Sequence, residues 1–328
     1  FFQPTSVYAS RDVRTIDDPV YTAPKLLVDI EDGRRLNLYC TGNGKPVVVF
    51  DSGLGDSTKA WGLVQPEISK SIRACSYDRA GLGFSDPARE PSTSGNAVRD
   101  LHSLLNRAKL SPPYILVGHS YGGMNVKLFA ETFPSEVIGM VLVEPSHEDV
   151  GKELFALDPD SHKRNLQYLD DLKRCLPATP AQLAHDPELT SLCVGQAGPR
   201  YSAAISAAEL ALAARSARIS AWVSEMTHIW VESADQVRAA HRTLGSIPIV
   251  LITKPPSPPA PNEPKALREQ KNKILSRLDD KTIGLSSRGR RITVEDTGHY
   301  IQLDQPAVVI SAIQRTISES SEPPADAL

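Results

Sequence analysis

Short, continuously apolar runs recur along the chain with longer mixed segments between them. Val47-Val48-Val49-Phe50, Ile72 to Tyr77, Tyr114 to Val117, Val137 to Val143, Ile247 to Ile252 and Ile292-Thr293-Val294 are the strand candidates. Runs this short that do not alternate with polar residues belong to strands buried on both faces. The segments between them fit helices at 57–70, 95–109, 121–133, 264–278 and 306–318. Strand alternating with helix predicts an α/β fold, a mostly parallel sheet covered on both sides. Ahead of the first run, Leu26 to Ile30 and Leu36 to Cys40 flank the turn Glu31-Asp32-Gly33-Arg34 and predict an antiparallel hairpin.

The alternation breaks once. Between Val143 and Ile247 lie roughly a hundred residues without a strand signal, far more than a crossover needs. Residues 147–243 therefore read as a helical insertion over the sheet, with Trp222, Met226, Ile229 and Trp230 as its most apolar face. The remaining boundaries are an irregular arm at 1–24, a core formed by 25–146 and 244–318, and a polar, disordered tail at 319–328. Pro255-Pro256-Ser257-Pro258-Pro259-Ala260-Pro261 predicts a stiff extended loop.

Composition narrows the partners. With 328 residues, 41% hydrophobic and 23% charged, the chain can bury a sizeable core. A net charge of -3, with no basic block, gives no reason to expect nucleic acid. Cys40, Cys75, Cys175 and Cys193 have no metal-site spacing; they read either as four separate thiols or as two disulfides in an oxidising compartment. Cys175 and Cys193 flank a short Pro-, Ala- and Asp-rich segment suited to a staple. The start at Phe1 looks processed, so any signal or anchor would lie upstream.

The chemistry centres on Gly118-His119-Ser120-Tyr121-Gly122, which joins a strand run to the helical Met124 to Ala130. A serine on so sharp a turn brings backbone very close, and the two glycines remove the Cβ atoms that would collide. The serine needs a base. Among eight histidines, His299 follows the last strand, read as Arg291 to Glu295, and a glycine; His147 lies close after the Val137–Val143 run and is a candidate substrate contact, while His119 reads as structural.

Asp51-Ser52-Gly53-Leu54-Gly55, Tyr77-Asp78-Arg79-Ala80-Gly81-Leu82-Gly83-Phe84-Ser85-Asp86, the serine elbow and Gly298-His299-Tyr300 occur in an order that resembles the α/β-hydrolase superfamily over residues 25–318. The resemblance implies an α/β-hydrolase fold with an inserted helical cap, and a serine hydrolase of carboxylic esters or lactones. It implies Ser120 as nucleophile, His299 as base, and the backbone N–H groups of Leu54 and Tyr121 as oxyanion hole, with neither cofactor nor metal. An acyltransferase, a perhydrolase or a non-hydrolytic binding protein would share these residues.

The acid departs from the commonest family pattern. The strand before the last runs into Thr253-Lys254-Pro255-Pro256, with no carboxylate until Glu263. Glu144 ends the strand after the nucleophile's, an alternative position in this superfamily, and is the expected acid; its placement 24 positions beyond Ser120 also resembles zearalenone-type lactonases. Glu263 and Asp279 are the fallback acids, and Asp304 is expected to cap the helix from Pro306. Asp78 and Arg79 match the family's structural turn. The family's strand order makes a Cys40–Cys75 bridge geometrically feasible. Trp222, Met226 and Trp230 read either as ordinary core of the insertion or as substrate contacts, and an extracytoplasmic location follows from the resemblance.

Overall fold

The computed structural model describes residues 14–31, 33–195, 200–256, 258–259 and 263–321. Its centre is an eight-stranded sheet in the order β1-β2-β4-β3-β5-β6-β7-β8. β1 (Leu26–Asp29) and β2 (Arg35–Thr41) form the expected hairpin, and β2 also runs antiparallel to β4 (Ala74–Tyr77). β3 (Val47–Asp51), β5 (Tyr114–His119), β6 (Val137–Val143), β7 (Ile249–Thr253) and β8 (Gly289–Thr293) continue it in parallel.

Alternate residues along these strands feed opposite faces, as the two-residue period of a strand requires. Val49, Leu116, Leu142 and Leu251 pack with helices Ser94–Arg107 and Tyr121–Thr132 on one side. Val48, Phe50, Val117, Val143 and Ile252 pack on the other with Trp61 and helix Pro306–Ser320. Every residue of β3, β5 and β7 is buried, which explains why these strands appear in the sequence as unbroken apolar runs.

Helix Lys265–Ile283 runs longer than expected, whereas the segment expected to form one helix at 57–70 splits into a 3-10 turn Thr58–Trp61 and a short helix Gln65–Ile68. Pro66 explains the break: it has no N–H for the carbonyl of Gly62, so a continuous helix cannot pass through it. Between β6 and β7 the chain runs through helices Val150–Leu157, Pro159–Lys173, Pro180–His185, Pro187–Cys193, Ala203–Ala213, Ser216–His228 and Glu232–Ala240. Three of them start with proline after a capping Asp158, Thr179 or Asp186, whose side chains accept from the first turn.

All four cysteines are bridged. Cys40–Cys75 joins residues directly opposite each other on β2 and β4, and Cys175–Cys193 closes the segment between two insertion helices. In the arm, Ile16 and Tyr21 are buried, and the backbone of Ile16 bonds to Arg200 and Ser202; residues 1–13 lie outside the described residues. The expected tail starts later than 319, because Glu319 and Ser320 belong to the last helix and Glu319 pairs with Arg290 and Arg315; residues 322–328 lie outside the described residues. Part of the proline loop, Ser257 and 260–262, is likewise outside them. Among the described residues, no helix is long and apolar enough to cross a membrane.

Candidate active site

The register sets Asp51 beside Gly118 and His119 beside Val143, so β3, β5 and β6 end level at one edge of the sheet. Ser120 stands at this edge with φ 52° and ψ -118°, a strained conformation for a residue with a Cβ. Its N–H donates to the carbonyl of Val143, and its carbonyl accepts from the N–H groups of Gly123 and Ser146. The glycines meet the steric demand read from the sequence. A Cβ on Gly118 would lie 2.5 Å from the carbonyl oxygen of Gly122, and one on Gly122 would lie 2.4 Å from that of Asp51.

Glu144 follows directly on β6, also at positive φ, with its N–H bonded to the carbonyl of Ile252 on β7. Its Oε1 accepts the backbone N–H of Lys254 at 2.7 Å, and its Oε2 faces Nδ1 of His299 at 3.6 Å. The end of β7, where the commoner acid would sit, therefore supplies a donor that orients Glu144. Of the two fallback acids, Glu263 is held by Lys271 and Arg268. Asp279 is held by Arg291, and burial, reinforced by the nearby charge of Glu144, pushes its carboxyl up to about 6.

The loop after β3 is pinned by a buried arginine. Arg79 Nη1 donates to Asp51 Oδ1 and to the carbonyl of Ser52, each at 2.6 Å, and Nη2 donates to the carbonyl of Gly53 at 2.7 Å. A trans peptide points its N–H opposite to its C=O, so the Leu54 N–H is directed away from Arg79. Gly53 lies against Ser120: a Cβ there would be 3.4 Å from Ser120 Cβ. Arg79 Nε reaches Glu225 Oε1 in the insertion at 2.6 Å, and Glu225 Oε2 accepts the N–H of Gly55 at 2.7 Å. Asp78 does not share this network; it accepts from Asn37, Thr58 and Phe84 and braces the neighbouring turn. Tyr121 opens the helix after Ser120, where N–H groups lack intrahelical partners, and its hydroxyl is tied to Ser92 and Ser233.

The model of the alpha/beta hydrolase family matches residues 48–312. The chain belongs to the α/β-hydrolase family. The YqjL protein of Bacillus subtilis is 35% identical over 128 residues, 39% of this chain and 50% of that protein, so the match spans half the length of that relative. An AB hydrolase superfamily protein of Gibberella zeae is 24% identical over 294 residues, covering 83% of this chain and 86% of its own. Among solved structures, DBJA superposes with a TM-score of 0.67 at 16% identity, over 90% of this chain and 98% of its own, a likeness of fold.

In this α/β-hydrolase chain Asp304 stands differently from the sequence reading. Asp304 does not cap the helix from Pro306, whose N-cap is Gln305 without a side-chain bond. It closes its own short helix Ile301–Asp304 and turns back, accepting the Gly298 N–H at 2.7 Å and the Thr297 hydroxyl at 3.2 Å while pairing with Arg200. Asp304 thus ties down the loop that carries His299. His119, read only as structural, lies with its ring 4.7 Å from that of His299 and its Nε2 3.0 Å from the His299 carbonyl oxygen. Burial pushes the His119 imidazole down to about 3, so it is neutral and its Nε2 carries the proton donated to that carbonyl.

The remaining candidates separate in space. Trp222 lies on the loop after β3: a Cβ on Gly55 would be 2.6 Å from its ring. Met226 is buried in a cluster with Leu172, Cys175 and Cys193 against which Leu54 and Trp222 pack, and Trp230 packs against Gly151 and Phe155. His147, Glu148 and Asp149 bring their ligand atoms within 4.8 Å of one another. The chain's own groups already engage them: Lys127 holds Glu148, Arg238 and Lys281 hold Asp149, and His147 Nδ1 accepts the Asp149 N–H.

Proposed function

We propose that the protein is a serine hydrolase that cleaves a carboxylic ester or lactone through an acyl-enzyme. The observation that carries this reading is the pairing of a serine at positive φ on a strand-to-helix elbow with Glu144, at the end of the adjacent strand, facing His299 Nδ1. In this reading His299 removes the Ser120 proton as the serine oxygen attacks the substrate carbonyl, and Glu144 stabilises the resulting imidazolium. The negative charge on the carbonyl oxygen is met by the N–H groups of Leu54 and Tyr121. The tetrahedral intermediate collapses, the C–O bond breaks, and the leaving alcohol takes the proton from His299. Water then gives a proton to His299 and attacks the acyl-serine, which releases the acid and regenerates Ser120.

The level strand ends, the Arg79 clamp that directs the Leu54 N–H, and family membership support the reading. Two disulfides are compatible with an extracytoplasmic location, which we infer with it. The test incubates the protein and a Ser120→Ala variant with a fluorophosphonate probe and a short-chain 4-nitrophenyl ester. Labelling and repeated turnover, both lost in Ser120→Ala, are expected. Labelling without turnover would instead point to a binding protein, and no labelling would remove Ser120 from the chemistry. Added alcohol or peroxide that outcompetes water for the acyl group would make the enzyme a transferase or perhydrolase.

A further inference from the structure

Arg218, Trp222 and Glu225 recur at the spacing of one helix face on Ser216–His228. That face lies over the loop that carries Leu54. Glu225 anchors it through Arg79 and the Gly55 N–H, Trp222 covers Gly55, and Arg218 overhangs one turn further on, its guanidinium carbon 4.6 Å over the Trp222 ring. Among the described residues its only hydrogen bond is a long one, 3.4 Å, to the carbonyl of Cys193.

A guanidinium has five N–H donors, and Arg218 leaves most of them unused. The surrounding carboxylates hold other cations: Asp56 and Glu209 pair with Lys59, and Glu225 pairs with Arg79. Burial works against the charged form of Arg218. Its position in the first turn of a helix whose N-cap, Arg215, makes no side-chain capping bond is also the unfavourable end for a cation. Helix stability therefore does not account for it, whereas a planar anion bound to the fork would satisfy the donors and both charges.

We propose that Arg218 receives a carboxylate carried by the substrate, so that the site selects esters or lactones bearing an anionic group, with Trp222 holding the guanidinium plane in place. This rests on the hydrolase reading above. A neutral ester fills the same site without engaging the fork, so discrimination by charge is the signature.

The experiment compares mono-4-nitrophenyl glutarate with the neutral 4-nitrophenyl pentanoate, in the wild type and in Arg218→Gln and Arg218→Lys. The ratio of their kcat/KM values is expected to fall on the order of 10- to 100-fold in Arg218→Gln and less in Arg218→Lys. In parallel, glutarate is titrated into Ser120→Ala protein and into the Ser120→Ala/Arg218→Gln double variant, followed by tryptophan fluorescence. Saturable binding, weakened at least ~10-fold by the second substitution, is expected. If neither ester is turned over, the hydrolase reading fails and the titration alone decides the role of Arg218. An unchanged charge ratio, or glutarate affinity that is absent or indifferent to Arg218→Gln, overturns the proposal. An Arg218→Gln variant that lost only thermal stability would show that the arginine serves to balance Asp56, Glu209 and Glu225.

Discussion

Every side chain of β3, β5 and β7 is buried, whereas helix Pro159–Lys173 in the insertion buries only Leu172 and leaves Leu166 half exposed. The sheet is held by area removed from water on two faces. The insertion packs its last helix into the sheet's core through Ala234 and Val237, and adds discrete fasteners: the Cys175–Cys193 bridge, Glu225 on Arg79, and Arg200 on Asp304. Two of these three end on groups that shape the candidate site, so the helices above the sheet are attached where the chemistry is proposed.

The comparison is broken most severely in the sheet. Phe50→Ala removes a fully buried ring packed on Trp61 and should cost about 4 kcal/mol, read as a large fall in the denaturant midpoint. Cys175→Ser with Cys193→Ser opens a loop with a sequence separation of 18, at about 3 kcal/mol. Because that loss falls on the insertion, proteolysis should nick the helices between β6 and β7 before the sheet.

The seam between the regions responds to pH. Glu131, on the helix after Ser120, is buried with His241 at 3.6 Å and the charges of Lys127 and Arg242 nearby, and burial outweighs them, raising its carboxyl from 4.5 to about 7. An acid whose pKa is raised on folding loses stability as pH climbs through that window, because the unfolded chain gives up the proton first. Glu131→Gln should therefore add about 2 kcal/mol at pH 8, a gain that disappears below pH 4.5. A pH-independent effect in thermal melts would contradict this. The smallest change belongs to the insertion's outer face, where Leu166→Ala should alter stability by less than about 0.5 kcal/mol.

What the sequence revealed follows the same division. Unbroken apolar runs exist because both faces of each strand are covered, so the strands and their order of appearance were legible, as was an elbow whose glycines answer a local steric need. The place of Glu144 directly after a strand was legible because strand ends are. The fasteners were not: Arg79 meets Glu225 across 146 positions, and no local pattern records such a pair. A carboxylate three residues after Trp222, beside the apolar Trp222 and Met226, was the one available signal. Asp304 looked like a cap because an aspartate before proline usually is one, and only the fold shows its carboxylate turned back toward Gly298. The helix expected at 57–70 ignored Pro66, a signal that was present in the sequence.

The proposed acid of this site stands after β6 rather than after β7. The most direct measurement is kcat/KM on a short-chain 4-nitrophenyl ester for Glu144→Gln beside Asp279→Asn and Glu263→Gln. The account predicts a loss on the order of 10³- to 10⁴-fold for Glu144→Gln alone, with the other two variants far more active. Wild-type activity in Glu144→Gln, with the loss appearing instead in Asp279→Asn or Glu263→Gln, would contradict it.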